Sequence, residues 1–193
     1  MLNKPPDAIP DDLTAAEYFQ LGNWFWEERD LDKARDALSR AVILDPEGES
    51  GRAAREMLST RIPAHPVDQE AFDTYRDVEI HLAFTNRVKA VAKLEKLIAE
   101  NPDFEWPYRS LADLMIRKGD IPKARDLLEK SLAINPVYAA ALVSMARTHI
   151  AVTEYDAALE MIDKAMNLTA FDESLPDMRR AVEVLAALES QSQ

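Results

Sequence analysis

Two Asn-Pro steps, Asn101-Pro102 and Asn135-Pro136, stand 34 residues apart, and Ala90, Ala124 and Ala158 recur at the same interval. A third proline, Pro46, follows Leu44-Asp45 and comes twelve residues after Ala34, as Pro102 follows Ala90 and Pro136 follows Ala124. A fixed period of this length marks a stack of small units, each too small to bury its apolar face alone. Such a chain is expected to fold by neighbour-on-neighbour packing, not around one closed core. With only 4 glycines and abundant Ala and Leu, the units are expected to be helical.

Inside each period the apolar residues fall at helical spacing. Tyr18, Leu21 and Phe25 form one stripe, and the small residues Gly22, Ala112 and Ala146 recur where one helix must approach the next closely. Asp30 and Asp120 are suited to cap a second helix, and Pro122 is tolerated in a first turn. The prolines at 46, 102 and 136 stop that helix and redirect the chain.

The pattern resembles the tetratricopeptide repeat. One copy reads Tyr18, Leu21, Gly22, Phe25, Ala34, Leu38 and Pro46, and another Tyr108, Leu111, Ala112, Met115, Ala124, Leu128 and Pro136. A further copy runs Leu142, Met145, Ala146, His149, Ala158 and Ile162, with Ala170 in the proline slot. The copy over 71–104 keeps Ala90, Leu94 and Pro102 but has Asp77 and Val78 where Leu-Gly is usual. The resemblance implies an all-α solenoid: a right-handed superhelix of antiparallel helix pairs closed by a C-terminal capping helix.

The expected organisation is a tail at 1–14, a repeat at 15–48, and a lone helix plus Pro-rich crossover at 49–70. A divergent repeat at 71–104, repeats at 105–138 and 139–172, a cap at 173–189 and a tail at 190–193 follow. Helices are expected near 15–28, 31–44, 49–62, 68–84, 87–100, 105–118, 121–134, 139–152, 155–168 and from 174 to about 189. The interval from Ala34 to Ala90 exceeds one period by 22 residues, enough for one helix and not two. An odd helix reverses the up-down order unless residues 63–69 run back along the stack; a hinge after the first repeat is the alternative. The helix after it carries Phe72, Tyr75, Val78 and Leu82 one position off the usual stripe. Either it is rotated or something covers its other face.

Composition removes several function classes. A net charge of -12 opposes binding to phosphate backbones and anionic membranes, so neither nucleic acid nor membrane insertion is expected. The absence of cysteine rules out disulfides, thiolate metal sites and cysteine nucleophiles. No nucleotide-binding loop, nucleophile elbow or metal-binding helix motif occurs, so no enzyme, cofactor or metal is expected. His81 and His149 share one repeat position two repeats apart, too far to hold one ion, and are expected as half-buried rings. The opening residues contain no apolar run of the kind a secretion signal needs, and the expected location is cytoplasmic.

What remains is binding. In tetratricopeptide arrays the first helices line a concave face, and the resemblance carries that role to Phe19, Asn23 and Trp26, to Phe72 and Tyr75, to Trp106, Arg109, Asp113 and Arg117, and to Val143, Arg147 and Ile150. Aromatic side chains and arginine dominate binding hot spots, because they bring large area or several donors. The expected partner is a protein segment with apolar anchors and a carboxylate near Arg109, Arg117 and Arg147, held by an adaptor or scaffold. On this view Arg109 and Arg147 are replaceable by alanine at little cost in stability. The plainer alternative packs Phe19, Phe72 and Trp106 between repeats and pairs the arginines with Glu79 or Asp113. The family's two-carboxylate clamp is matched by Asn23 but not by Phe19, which stands where a lysine is needed. Two other readings are a chaperone for a secreted or assembling client, and homo-oligomeric assembly through Phe72/Tyr75 or the capping helix.

Overall fold

A computed structural model describes residues 6–82, 86–169 and 174–192. Among these residues all regular structure is helical. The helices are α1 (Ala15–Glu27), α2 (Leu31–Leu44), α3 (Glu49–Thr60), α4 (Gln69–Asp77), α5 (Arg87–Glu100), α6 (Glu105–Lys118), α7 (Ile121–Ile134), α8 (Ala139–Ile150), α9 (Tyr155–Leu168) and α10 (Ser174–Ser192). Two compact units are divided between Pro66 and Val67. Ala170 and the side chain of His81 lie outside the described residues.

The pairs α1/α2, α6/α7 and α8/α9 share one turn. Its residue two before the second helix is left-handed: Arg29 at φ 63°, Gly119 at 84° and Thr153 at 61°. The next amide then reaches back five residues: Asp30 N–H to the Phe25 carbonyl at 2.9 Å, Asp120 to Met115 at 3.0 Å and Glu154 to His149 at 3.0 Å. This closure satisfies carbonyls that a helix end leaves orphaned and turns the chain tightly enough to make the pair antiparallel. Asp30 and Asp120 cap the second helices as expected, accepting from Lys33 N–H at 3.2 Å and Lys123 N–H at 3.3 Å. Gly22 is needed for close approach, since a Cβ there would sit 2.6 Å from Leu38 Cγ. Ala112 and Ala146 take the same slot fully buried, opposite Leu128 and Ile162.

In the first unit α3 packs against both α1 and α2. Gly51 makes that approach feasible, because a Cβ would fall 1.7 Å from the Asp45 carbonyl oxygen. Met57 and Ile62 complete a core with Tyr18, Leu21, Phe25 and Leu38. Arg35 fixes the segment that follows, donating to the Pro63 carbonyl at 2.8 Å and the His65 carbonyl at 3.0 Å. Residues 6–13, part of the tail segment, are tied to the first unit. Ile9 and Leu13 pack on the core, Tyr18 Oη donates to the Pro10 carbonyl at 2.8 Å, and Arg40 pairs with Asp11 at 2.7 Å. A box between Thr14 and Glu17 starts α1, with the Thr14 N–H donating to Glu17 at 2.9 Å.

In the second unit α4 buries Ala71 and Tyr75, and Val78 is buried just beyond it, while Asp77 pairs with Lys93 of α5 at 2.8 Å. The end of α4 departs from the expected helix, widening at Val78–Leu82 into a π-helical turn. The core then runs through Leu94, Leu97, Leu111, Met115, Leu127 and Leu128. The last helix, α10, buries Leu175 and Val182 and packs Met178 inward. Leu185 is 40 % exposed, and the helix extends to Ser192, past the expected end near 189. The inner face continues through Ala186, one helical step from Val182, because 3.6 residues per turn carries the stripe past Leu185.

Candidate functional site

Trp106, at the start of α6, sits in a ring of aromatic side chains. Phe72 lies 5.7 Å away, Tyr75 5.5 Å, Phe104 5.6 Å and Tyr138 6.4 Å, centroid to centroid. Trp106 is only 8 % exposed and Phe104 is 1 % exposed. The first three pairs are tilted and the Tyr138 pair is stacked, all at separations within the favoured range for aromatic rings. The plainer alternative from the sequence therefore describes Trp106: it cements neighbouring helices. Phe104 and Tyr138 escaped notice because each lies in a connecting segment, two residues after a repeat proline, where helical periodicity gives no signal.

Beside this ring lies a polar network built on Arg109. Its Nη1 donates to Asp113 Oδ2 at 2.9 Å, one helical turn along α6. Its Nε donates to Tyr138 Oη at 3.3 Å and its Nη2 to Tyr75 Oη at 3.3 Å. The same Nη2 faces Glu79 Oε2 at 3.5 Å. Burial pushes both phenols up, so at ordinary pH they are neutral and accept from the guanidinium. Tyr75 Oη and Ser110 Oγ share a further bond of 3.0 Å, and Ser144 Oγ of α8 donates to Asp113 Oδ1 at 2.6 Å. The network links α4, α6, α8 and the Tyr138 turn. Arg109 is thus no neutral surface position, contrary to the expectation that alanine there leaves stability intact.

The other arginines differ. Arg117 is exposed and donates only to the Asp113 main-chain carbonyl at 3.3 Å, and Arg147 is exposed on α8. Among the described residues neither is paired with a carboxylate. Val143 and Ile150 flank Arg147, each half-buried. Phe19, Asn23 and Trp26 belong to the first unit and are described by themselves. Phe19 and Trp26 lean on its core, the Arg61 guanidinium lies 5.3 Å over the Trp26 ring, and the Asn23 amide donates to the Phe19 carbonyl at 3.0 Å.

Two further polar sites were not legible. Glu105 is fully buried, and its Oε1 accepts from the Asn135 amide at 2.9 Å. His149 is half-buried as expected, and its ring also contacts Glu154 Oε2 at 2.6 Å and Arg125 Nη2 at 3.1 Å. Arg125 first, and His149 with it, holds the Glu154 carboxyl below its usual range. Among the described residues no group of side chains has the makings of a metal site, and no helix is long and apolar enough to cross a membrane.

The sequence profile of the tetratricopeptide repeat matches residues 82–136 and 117–175. No curated protein matches the sequence. Among solved structures, the chain is similar to the TPR2AB domain of yeast Sti1 in its complex with pHSP90. The TM-score is 0.50 at 19% identity, over 90% of this chain and 68% of that one. The Cut9-Hcn1 hetero-tetramer of the APC/C gives 0.56 at 14% identity, over 89% of this chain and 36% of that one. A tetratricopeptide repeat protein from Parabacteroides merdae gives 0.52 at 16% identity, over 92% of this chain and 75% of that one. At these identities the likeness is one of fold. The matched repeats make this a tetratricopeptide-repeat protein over residues 82–175, and the solved structures share its all-α solenoid fold.

Proposed function

We propose that the chain is a non-enzymatic protein-interaction module that holds a segment of a partner protein along α6 and α8. The observation that carries this reading is the pair Arg117 and Arg147. Both are exposed first-helix arginines without a carboxylate partner among the described residues, on a chain of net charge -12. The nearby acids are already committed, Asp113 to Arg109 and Ser144, and Glu79 to Arg109. Cations left over in this way suit an acidic residue or chain terminus, which arginine binds through two parallel N–H groups. Val143 and Ile150 supply apolar contact beside them. The Sti1 domain, similar in fold, was solved in a complex with a protein ligand, which supports the class of function and not the choice of partner. An adaptor or scaffold role in the cytoplasm is the setting we infer.

The test is affinity capture from the native cell with the wild type and with an Arg117→Glu/Arg147→Glu double variant. The expected result is a partner recovered by the wild type and lost by the double variant, whose melting temperature is unchanged within a few degrees. Equal recovery by both proteins sinks the reading.

A further inference from the structure

Arg109 has one partner unlike the rest. Asp113 is locked from both sides, Oδ2 by Arg109 at 2.9 Å and Oδ1 by Ser144 at 2.6 Å. Tyr75 and Tyr138 are buried aromatic core residues. Glu79 contacts Arg109 at 3.5 Å, the longest of the set, and its side chain is 34 % exposed against 19 % for Arg109. Among the described residues this is its one ion pair. It also sits on the π-helical turn at Val78–Leu82, a backbone form that recurs at functional sites. That widened turn lets Val78 stay in the core while Glu79 faces α6.

The surroundings fit an exchange of carboxylates. A cavity of about 40 Å³ lies among Glu79, Leu94, Arg109, Ser110, Asp113, Leu114 and Arg117. That is room for a carboxylate or a water, not for a side chain with a bulky body. Two arginines, Arg109 and Arg117, are among the residues that line it. We propose that Glu79 is a resident carboxylate in a subsite made by Arg109 and Arg117, and that an acidic group of a bound partner displaces it. The inference rests on the groove reading above and names the regulation of that groove.

Asp113 holds Arg109 throughout, and exchange of one carboxylate for another keeps the charge on the Nη2 side balanced as well. A neutral ligand offers no such compensation, and Glu79 therefore screens for charge. The resident contact is long and half-exposed, so it is weak; an incoming group that makes two short charge-assisted bonds outcompetes it.

Sodium acetate is the probe, with acetamide as its uncharged twin, at ionic strength held constant with sodium chloride. The readout is the Arg109 Nε–H resonance in the full chain, followed by NMR in the wild type, Glu79→Gln and Glu79→Asp. The expected result is a saturable acetate shift in Glu79→Gln with an apparent Kd about fivefold below that of the wild type. Acetamide produces no saturable shift, and Glu79→Asp, which keeps the charge, follows the wild type. Equal acetate affinity in wild type and Glu79→Gln, or a response to acetamide matching that to acetate, overturns the proposal. An acetate effect alongside undiminished partner capture by the Arg117/Arg147 variant sinks the groove reading alone. Lost capture without an acetate effect sinks this inference alone.

Discussion

Three helix-to-helix turns pass through a left-handed residue, and the residue types at them are Arg29, Gly119 and Thr153. Glycine adopts this conformation freely, whereas a β-branched residue is strained there. Thr153 is exposed, so little packing repays its strain. Thr153→Gly is expected to raise stability by about 1 kcal/mol, the left-handed penalty less the extra chain entropy of glycine. Gly119→Ala is expected to lower it by about 1 kcal/mol, although nothing lies within 4 Å of the added Cβ. Urea melts of both variants check the pair, and a loss in Thr153→Gly would show that the turn tolerates threonine without strain. The Asp caps of these turns were legible because a capping side chain is a chemical requirement. Thr153 was not, because its identity argues against the conformation it holds. The same holds for Gly51, whose reason for being glycine is a carbonyl of Asp45 brought against it by the packing of a whole helix.

Among the elements, α4, α6 and α8 carry the candidate site, and the structure divides their residues into mortar and free surface. Trp106→Ala removes the centre of an aromatic ring and is expected to cost about 3–5 kcal/mol. Arg109→Ala strips the counter-charge from half-buried Asp113 and removes the donor of buried Tyr138, for a cost of about 3 kcal/mol. Arg117→Ala is expected to stay within about 0.5 kcal/mol of the wild type. Denaturant midpoints of the three variants separate the roles, and a stable Arg109→Ala protein would contradict the network's structural weight. The sequence placed Trp106, Arg109, Arg117 and Arg147 on the first helices of their pairs, because the repeat register carries that information. It did not sort one arginine on the face from another. That depends on Tyr75, Tyr138 and Glu79 arriving from other elements, and on a π-helical turn to which a 3.6-residue period is blind.

At the scale of the molecule, the buried apolar residues segregate at the same place where the chain divides. One core holds residues from Tyr18 to Ile62, with Ile9 and Leu13 against it. The other cores draw on Ala71 and later residues, with Val67 against them. In repeat proteins stability is close to a sum of local terms, so a unit with its own core is expected to fold without the other. A fragment beginning at Val67 should therefore keep its helical circular dichroism signal and melt in one transition within several degrees of the corresponding transition in the full chain. It contains Glu79, Arg109, Arg117 and Arg147, and on the proposed reading it retains the full chain's affinity for the captured partner. Isothermal titration of both forms makes the comparison. A folded fragment that binds at least tenfold more weakly, a difference of about 1.4 kcal/mol, would transfer part of the binding to the first unit, where Phe19, Asn23 and Trp26 are the residues to replace next. A fragment that fails to fold would instead show that α4, which over its whole length buries only Ala71 and Tyr75 beyond Phe72's partial contact, is too weakly held without residues before Val67.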